Sequence, residues 1–278
     1  MSYNKPNLGL IAGQGELPLL VAAGIKASGG RVCCVGLRDQ FDSKLPGLCD
    51  EFHQAGIVQL GKWIKLLQRW DINQAIMVGR VAKTQMHDPL KLFRQLPDWR
   101  AVKLWYRHLR HDHRTAALLT ALADELAING INLIDSTTYI PQHMASPGVM
   151  TANKPNEQQK GDIDFAWPLL ERIVELDIGQ SMAVRDRDVI AVEAVEGTSA
   201  LIKRAGELCK AKGWTLLKTA SATHDMRADV PTIGVETIEQ LANAGAGCIA
   251  LGAGRVILID KPKVLEAANK AKIAVVGV

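Results

Sequence analysis

The segment His224-Asp225-Met226-Arg227-Ala228-Asp229-Val230-Pro231 puts two carboxylates and a guanidinium within a few residues of each other. Carboxylates are hard oxygen ligands suited to Mg2+ or Mn2+, and a guanidinium can brace a phosphoryl oxygen with paired donors. Together they suit metal-assisted hydrolysis of a phosphate-containing bond. Asp225 and Asp229 would hold the ion or orient water, and Arg227 would meet developing charge. The two aspartates lie four residues apart, so a helix would place them on one face. Pro231 disfavours helical backbone at Val230, and an irregular loop is expected instead. The plain alternative is a solvated loop with a local ion pair, a common feature worth little energy. Position favours chemistry, because the segment follows an expected strand at 214–218, where α/β sheets carry their ligands.

Other segments carry further candidates. Gly13-Gln14-Gly15-Glu16-Leu17-Pro18 separates an apolar strand from a helix. Glycines there let backbone N–H groups approach a phosphate at the helix start. Pro18 stands where the dinucleotide fingerprint requires glycine, so a nicotinamide cofactor is not implied, and a plain tight turn is the alternative. Glu193 alternates with Val192 and Ala194 at the end of an apolar strand and needs a cation, a metal or a donor as partner. Thr198 or Ser199 could instead simply cap the next helix. His108, His111 and His113 do not have zinc-ligand spacing, and flanking arginines would repel a cation, so a solvated basic face is expected. The stretch 83–114 mixes Lys91, Arg94, Arg100, Lys103, Arg107 and Arg110 with Phe93, Trp99, Trp105 and Tyr106. It could hold phosphates, lie on an anionic membrane surface, contact nucleic acid, or form an amphipathic helix packed on a sheet. No nucleic-acid module signature accompanies it.

The elements that must position these residues read as an α/β protein. Short apolar runs at 8–12, 31–37, 56–60 and 75–78, separated by helical stretches, predict a parallel sheet, so the first half is expected to be Rossmann-like. A helix at 116–128 and a strand at 131–135 follow. The stretch 142–162, with Pro147, Gly148, Pro155 and Gly161, reads as a linker. Beyond it come a helix at 164–176, a hairpin of 182–185 and 189–192 around Asp186-Arg187, a helix at 199–212, and the strand at 214–218. The chain closes with strands at 247–251, 256–259 and 273–276 and a helix at 262–270. The expected domains are an N-terminal one over 1–150 and a C-terminal α/β catalytic one over 160–278.

A chain of 278 residues, 47% hydrophobic and 22% charged, can build sizeable cores and is not expected to be disordered. Its net charge of +4 suits anionic ligands but does not by itself imply nucleic acid. Cys33, Cys34, Cys49, Cys209 and Cys248 form no Cys-x-x-Cys pair, so buried free thiols are expected rather than a disulfide frame or zinc site. No run is apolar enough to span a membrane, and the polar start of the chain has no signal-peptide pattern, so a cytoplasmic location is expected.

With these segments in view, the chain resembles the UDP-2,3-diacylglucosamine pyrophosphatases of the LpxI type, the DUF1009 family. The resemblance runs from Gly9-Leu10-Ile11-Ala12-Gly13 through Gly79-Arg80-Val81 and Asp177-Ile178-Gly179-Gln180-Ser181. It continues through Val192-Glu193-Ala194-Val195-Glu196-Gly197-Thr198 and Asp225-Met226-Arg227-Ala228-Asp229-Val230-Pro231-Thr232-Ile233-Gly234, and ends in the apolar strand closing at Gly277. It implies hydrolysis of UDP-2,3-diacylglucosamine to UMP and 2,3-diacylglucosamine 1-phosphate in lipid A synthesis, with Mg2+ or Mn2+ as cofactor. It also implies an essential aspartate, carried first onto Asp225 and second onto Asp229. The expected metal set is Asp225, Asp229, Glu193 and Glu196. The expected substrate contacts are Gly13, Gln14, Gly15, Gly79, Gln180 and Thr198. An amphiphilic nucleotide sugar is the expected partner, with peripheral contact to the inner membrane, no nucleic acid, and a homodimer compatible with the pattern. Two departures stand out: Ser199 replaces the family's aspartate, and Ser221-Ala222-Thr223-His224 lacks its lysine and proline. They support a rival reading, a weakly active or non-catalytic module that binds an anionic nucleotide sugar.

Overall fold

Strand β1 (Asn7–Ala12) and strand β2 (Arg31–Leu37) are apolar and buried along nearly their whole length, as parallel strands covered on both faces must be. The structure, a computed structural model, describes residues 6–81, 97–104, 106, 115–221, 225–227 and 230–278. The chain divides into two compact units, one of residues 1–140 with 225–229, the other of 141–224 with 230–278.

In the first unit, helix α1 (Leu17–Ala27) links β1 to β2. Strand β3 (Glu51–Ala55), helix α2 (Leu60–Arg69), strand β4 (Gln74–Val78), helices α3 (Trp99–Leu104) and α4 (Thr115–Ile128), and strand β5 (Asn132–Leu133) follow. All five strands are parallel, in the order β3-β2-β1-β4-β5. The chain winds outward from β1 in one direction and then from β4 in the other, so the topological switch point lies between β1 and β4. Trp63, Ile64 and Leu67 of α2 and Leu126 of α4 pack with Ile11, Val35 and Ile131 in the core.

The third strand is not at 56–60 but at Glu51–Ala55. It is an edge strand whose first four residues are half-buried or exposed, so it lacks the apolar run that marks its neighbours. Residues 56–59 instead open α2: Gly56 N–H donates to Gln59 Oε1 at 2.9 Å, and Trp63 Nε1 donates to the Gly56 carbonyl at 2.9 Å.

Beyond β1 and β4 the two segments stay bonded. Gly13 N donates to Val78 O at 2.8 Å, while Gln14 and Arg80 exchange backbone hydrogen bonds of 2.8 and 2.9 Å. A Cβ on Gly79 would lie 2.6 Å from the Gly13 carbonyl carbon, and Gly79 has φ +100°. Gly79→Ala should therefore lower unfolding stability by roughly 2–4 kcal/mol, the combined scale of positive-φ strain and overpacking. Urea denaturation checks this, and an unchanged midpoint would reject the close approach.

The second unit has a six-stranded mixed sheet in the order β6-β13-β11-β9-β7-β8. Its strands are β6 (Gly148–Val149), β7 (Ser181–Arg185), β8 (Asp188–Val192), β9 (Trp214–Lys218), β11 (Ala246–Leu251) and β13 (Ala274–Gly277). Strands β9, β11 and β13 are parallel, and the β7–β8 hairpin and β6 join antiparallel. Strands β10 (Thr232–Ile233) and β12 (Ile257–Leu258) pair separately. Helix α5 (Glu157–Glu175) covers one face, with Ile163, Ala166 and Leu170 against Met182, Leu217 and Cys248. Helices α6 (Thr198–Leu208), α7 (Val235–Ala244) and α8 (Lys261–Lys270) cover the other, with Ile202, Leu241 and Val264 against Leu216 and Ile249.

The stretch read as a linker holds a 3-10 turn (Pro141–His143), β6 and the first turns of α5. Asn156 starts α5 by a capping box: its side chain accepts from Gln159 N at 2.8 Å, and the Gln159 side chain accepts from Asn156 N at 3.0 Å. The fully buried Asp162 then accepts from Arg187 N at 2.7 Å, fixing the β7–β8 turn, where Asp186 and Arg187 have φ of 53° and 60°. All five cysteines are free; Cys33, Cys34 and Cys248 are buried, and Cys49 and Cys209 are half-buried. No helix among the described residues is long and apolar enough to cross a membrane.

Candidate functional site

In the first unit, candidates gather at the carboxyl ends of the parallel strands. Gly13, Gln14 and Gly15 leave β1, and Gly79 and Arg80 leave β4 beside them, with Gln14 and Arg80 exposed. Gly15 has φ +99°, a turn conformation that glycine adopts without penalty. Helix α1 begins without a side-chain cap, and Pro18 in its first turn has no N–H to offer an anion.

The segment 225–227 reaches the same edge. Just past β5, Ser136 N and Ser136 Oγ both donate to the Met226 carbonyl, at 3.0 and 2.9 Å. Ser136 is buried, so these bonds fix the segment from below. Asp225 and Arg227 flank Met226 and form a forked pair. Arg227 Nε lies 2.8 and 3.0 Å from the two carboxylate oxygens, and Arg227 Nη2 lies 2.6 Å from Oδ2. Arg227 N also donates to Asp225 Oδ1 at 3.1 Å. The hydrogen bond that Arg227 donates to Asp225 raises the Arg227 pKa, aided by the charges of Asp225 and Asp124, while partial burial opposes the shift. The two side chains are 46% and 40% exposed, so the pair contributes on the order of 0–1 kcal/mol and can exchange partners cheaply. Asp229 and His224 lie outside the described residues.

The remaining candidates belong to the second unit. Glu193 follows β8, and its Oε1 accepts from Thr198 Oγ1 at 3.0 Å. Lys218, the last residue of β9, donates to Thr198 Oγ1 at 2.7 Å and to Ser181 Oγ at 3.2 Å. Its ammonium lies 3.8 Å from Glu193 Oε2. The Gln180 carbonyl accepts from Thr219 N at 3.0 Å. Glu196 pairs with Arg204 at 3.0 Å. Its own backbone N–H, that of Ala194 and Arg204 hold its carboxyl below the usual range. Ser199 is exposed in the first turn of α6. Sequence reasoning identified Glu193's need for a partner but missed Lys218. The available signal was a lysine closing an otherwise apolar strand at the ligand-bearing edge of the sheet.

These surroundings bear on the expected ion. Among the described residues, no three His, Cys, Asp or Glu side chains converge as a metal group. Asp225 fits a hard cation: it is an oxygen donor, half exposed, and its pair with Arg227 is exchangeable. Glu193 and Glu196 already have cationic neighbours in Lys218 and Arg204. Of the basic-aromatic stretch, α3 is described, with Trp99 79% exposed and Arg100 paired to Glu125 at 2.7 Å. Lys91, Phe93, Arg94, Trp105, Arg107, Arg110 and the three histidines at 108, 111 and 113 lie outside the described residues.

Comparison with known proteins agrees with this division. The LpxI N-terminal domain matches residues 7–143, and the LpxI C-terminal domain matches residues 146–276. The UDP-2,3-diacylglucosamine pyrophosphatase LpxI of Caulobacter vibrioides is 30% identical over 282 residues, covering 98% of this chain and 97% of the relative. A solved structure, the biotin carboxylase domain dimer of Hydrogenobacter thermophilus 2-oxoglutarate carboxylase, matches with 11% identity and a TM-score of 0.24. That match covers 65% of this chain and 35% of the other, and at that score it carries no argument.

Proposed function

The chain belongs to the LpxI family, and on that premise we propose that it hydrolyses UDP-2,3-diacylglucosamine to UMP and 2,3-diacylglucosamine 1-phosphate. The observation that carries this reading is the Asp225–Arg227 fork, held by Ser136 at the carboxyl edge of the first sheet. An acid and a base that exchange partners at little cost suit a polyanionic substrate. In the proposed reaction Arg227 releases Asp225 and braces a phosphoryl oxygen, where its planar donors match the geometry. Asp225, with Asp229, would hold Mg2+ or Mn2+, which would supply charge neutralisation on the phosphoryl oxygens when bound. Water adds to one phosphorus, the bridging P–O bond breaks, and the two monophosphates depart with the protons of water. The Gly13–Gly79 crossing, at the same carboxyl edge of the sheet, lets main chain approach the substrate without intervening side chains.

The substrate's acyl chains reside in a bilayer, so the proposal includes peripheral contact with a membrane surface. The exposed Trp99 on α3 supports it, since indole rings favour that interface. The rival reading, a module that binds the nucleotide sugar without cleaving it, draws on Ser199, which offers α6 a hydroxyl in place of the family's carboxylate. One assay separates them: incubation with UDP-2,3-diacylglucosamine and Mg2+ should release UMP, and substrate binding without UMP would leave the binding module.

A further inference from the structure

Three strand ends and one helix start converge at the carboxyl edge of the second sheet. β9 closes on Lys218, β7 opens on Ser181, β8 runs into Glu193, and α6 opens on Thr198. Lys218 is 4% exposed and Glu193 8% exposed, so both charges are buried. Lys218 serves two hydroxyls, Thr198 Oγ1 and Ser181 Oγ. Thr198 passes the interaction on by donating its one hydroxyl proton to Glu193. Thr198 therefore has no side-chain donor left for a phosphoryl oxygen; whatever it gives an anion comes from its backbone N–H and its placement. Glu193 Oε2 has no hydrogen-bond partner among the described residues, and Lys218 at 3.8 Å is the cation that offsets its charge.

The backbone is tied at the same place. Glu193 N donates to Ser181 O at 2.9 Å, and Thr219 N donates to Gln180 O at 3.0 Å. A Cβ on Gly179 would collide with the Glu193 carbonyl. Two candidate substrate contacts, Gln180 and Thr198, thus sit on turns joined through one buried ammonium. A buried ion pair is a poor source of stability compared with apolar side chains of the same size. Its use here is orientation.

We propose that Lys218 is a positioning residue for the hydrolysis: through Thr198 and Ser181 it locks the 193–199 and 179–181 turns that present the second unit's substrate contacts. The assignment rests on the proposed function for its substrate, but its geometry belongs to the second unit alone.

The test is Lys218→Met in the full-length protein, read by steady-state kinetics with UDP-2,3-diacylglucosamine and by amide hydrogen exchange. KM should rise about ten-fold or more, with kcat within about three-fold, the pattern of lost binding geometry rather than lost chemistry. Amides of 193–199 should exchange about ten-fold faster while those of β11 and α5 are unchanged, marking a local opening. Unchanged KM with unchanged exchange overturns the assignment, and so does a fall in kcat at constant KM. If Lys218→Met fails to fold, Lys218→Met/Glu193→Gln removes the stranded carboxylate charge and restores the fold. In that protein a raised KM supports the proposal, and a wild-type KM overturns it. If the wild type releases no UMP, the hydrolysis reading fails by itself, and exchange in 193–199 alone decides whether Lys218 locks the turn.

Discussion

Asp225→Ala should abolish UMP release, by about a thousand-fold or more, while leaving the protein folded. The magnitude is that of losing transition-state charge stabilisation, here the ion that Asp225 would hold. The fold should survive because Asp225 is 46% exposed and its pair with Arg227 is worth roughly 0–1 kcal/mol. The bonds that hold its segment run from Ser136 to the Met226 carbonyl, and no side-chain substitution at 225 removes them. Asp225→Asn keeps the shape and a neutral oxygen, and it should lose nearly as much activity, because a hard cation and Arg227 both require the charge. Urea midpoints and UMP release, measured on the same preparations, check the result. Full activity in either variant removes Asp225 from the site; loss of activity together with loss of fold removes the catalytic explanation.

Excess EDTA should silence the enzyme, and Mg2+ or Mn2+ should restore it. The expected drop exceeds about a hundred-fold, since without the ion Arg227 alone would offset the repulsion between the carboxylate and the pyrophosphate. Mn2+ binding, followed by its electron paramagnetic signal, gives a readout independent of turnover and should be lost in Asp225→Ala. The glutamates make a contrasting control. Glu193 and Glu196 already lie beside Lys218 and Arg204, so their replacement should weaken Mn2+ binding far less than loss of Asp225 does. Turnover that persists undiminished in excess chelator would remove the ion from the reaction.

How much of this was legible follows from the kind of signal each element carries. Strands β1, β2, β4 and β9 are predominantly apolar runs, and the β7–β8 hairpin has its Asp-Arg turn, so sequence located all of them. β3 escaped because an edge strand need not be apolar, and the start of α5 escaped because glycine and proline nearby mask the Asn156 capping box. The Asp225–Arg227 pairing was readable as a local ion pair, and the structure contains that pair. Its attachment was not readable. Ser136 and Met226 are ninety positions apart and meet through a carbonyl, and no local pattern reports a main-chain contact over that separation. Likewise, the carboxylate at 193 announced a missing partner, but only the strand register brings Lys218 beside it.

The first unit takes residues 225–229 from a stretch of chain whose flanks on both sides belong to the second. During synthesis the parallel sheet is complete by residue 140, yet the donors of Ser136 have no acceptor until Met226 leaves the ribosome. Asp225 arrives only with that segment, so a nascent chain, or one truncated before it, carries the glycine crossing without this carboxylate. A gene cut near the family-domain boundary would therefore yield no half with its own complete function, and the two halves could not be exchanged between relatives as independent modules.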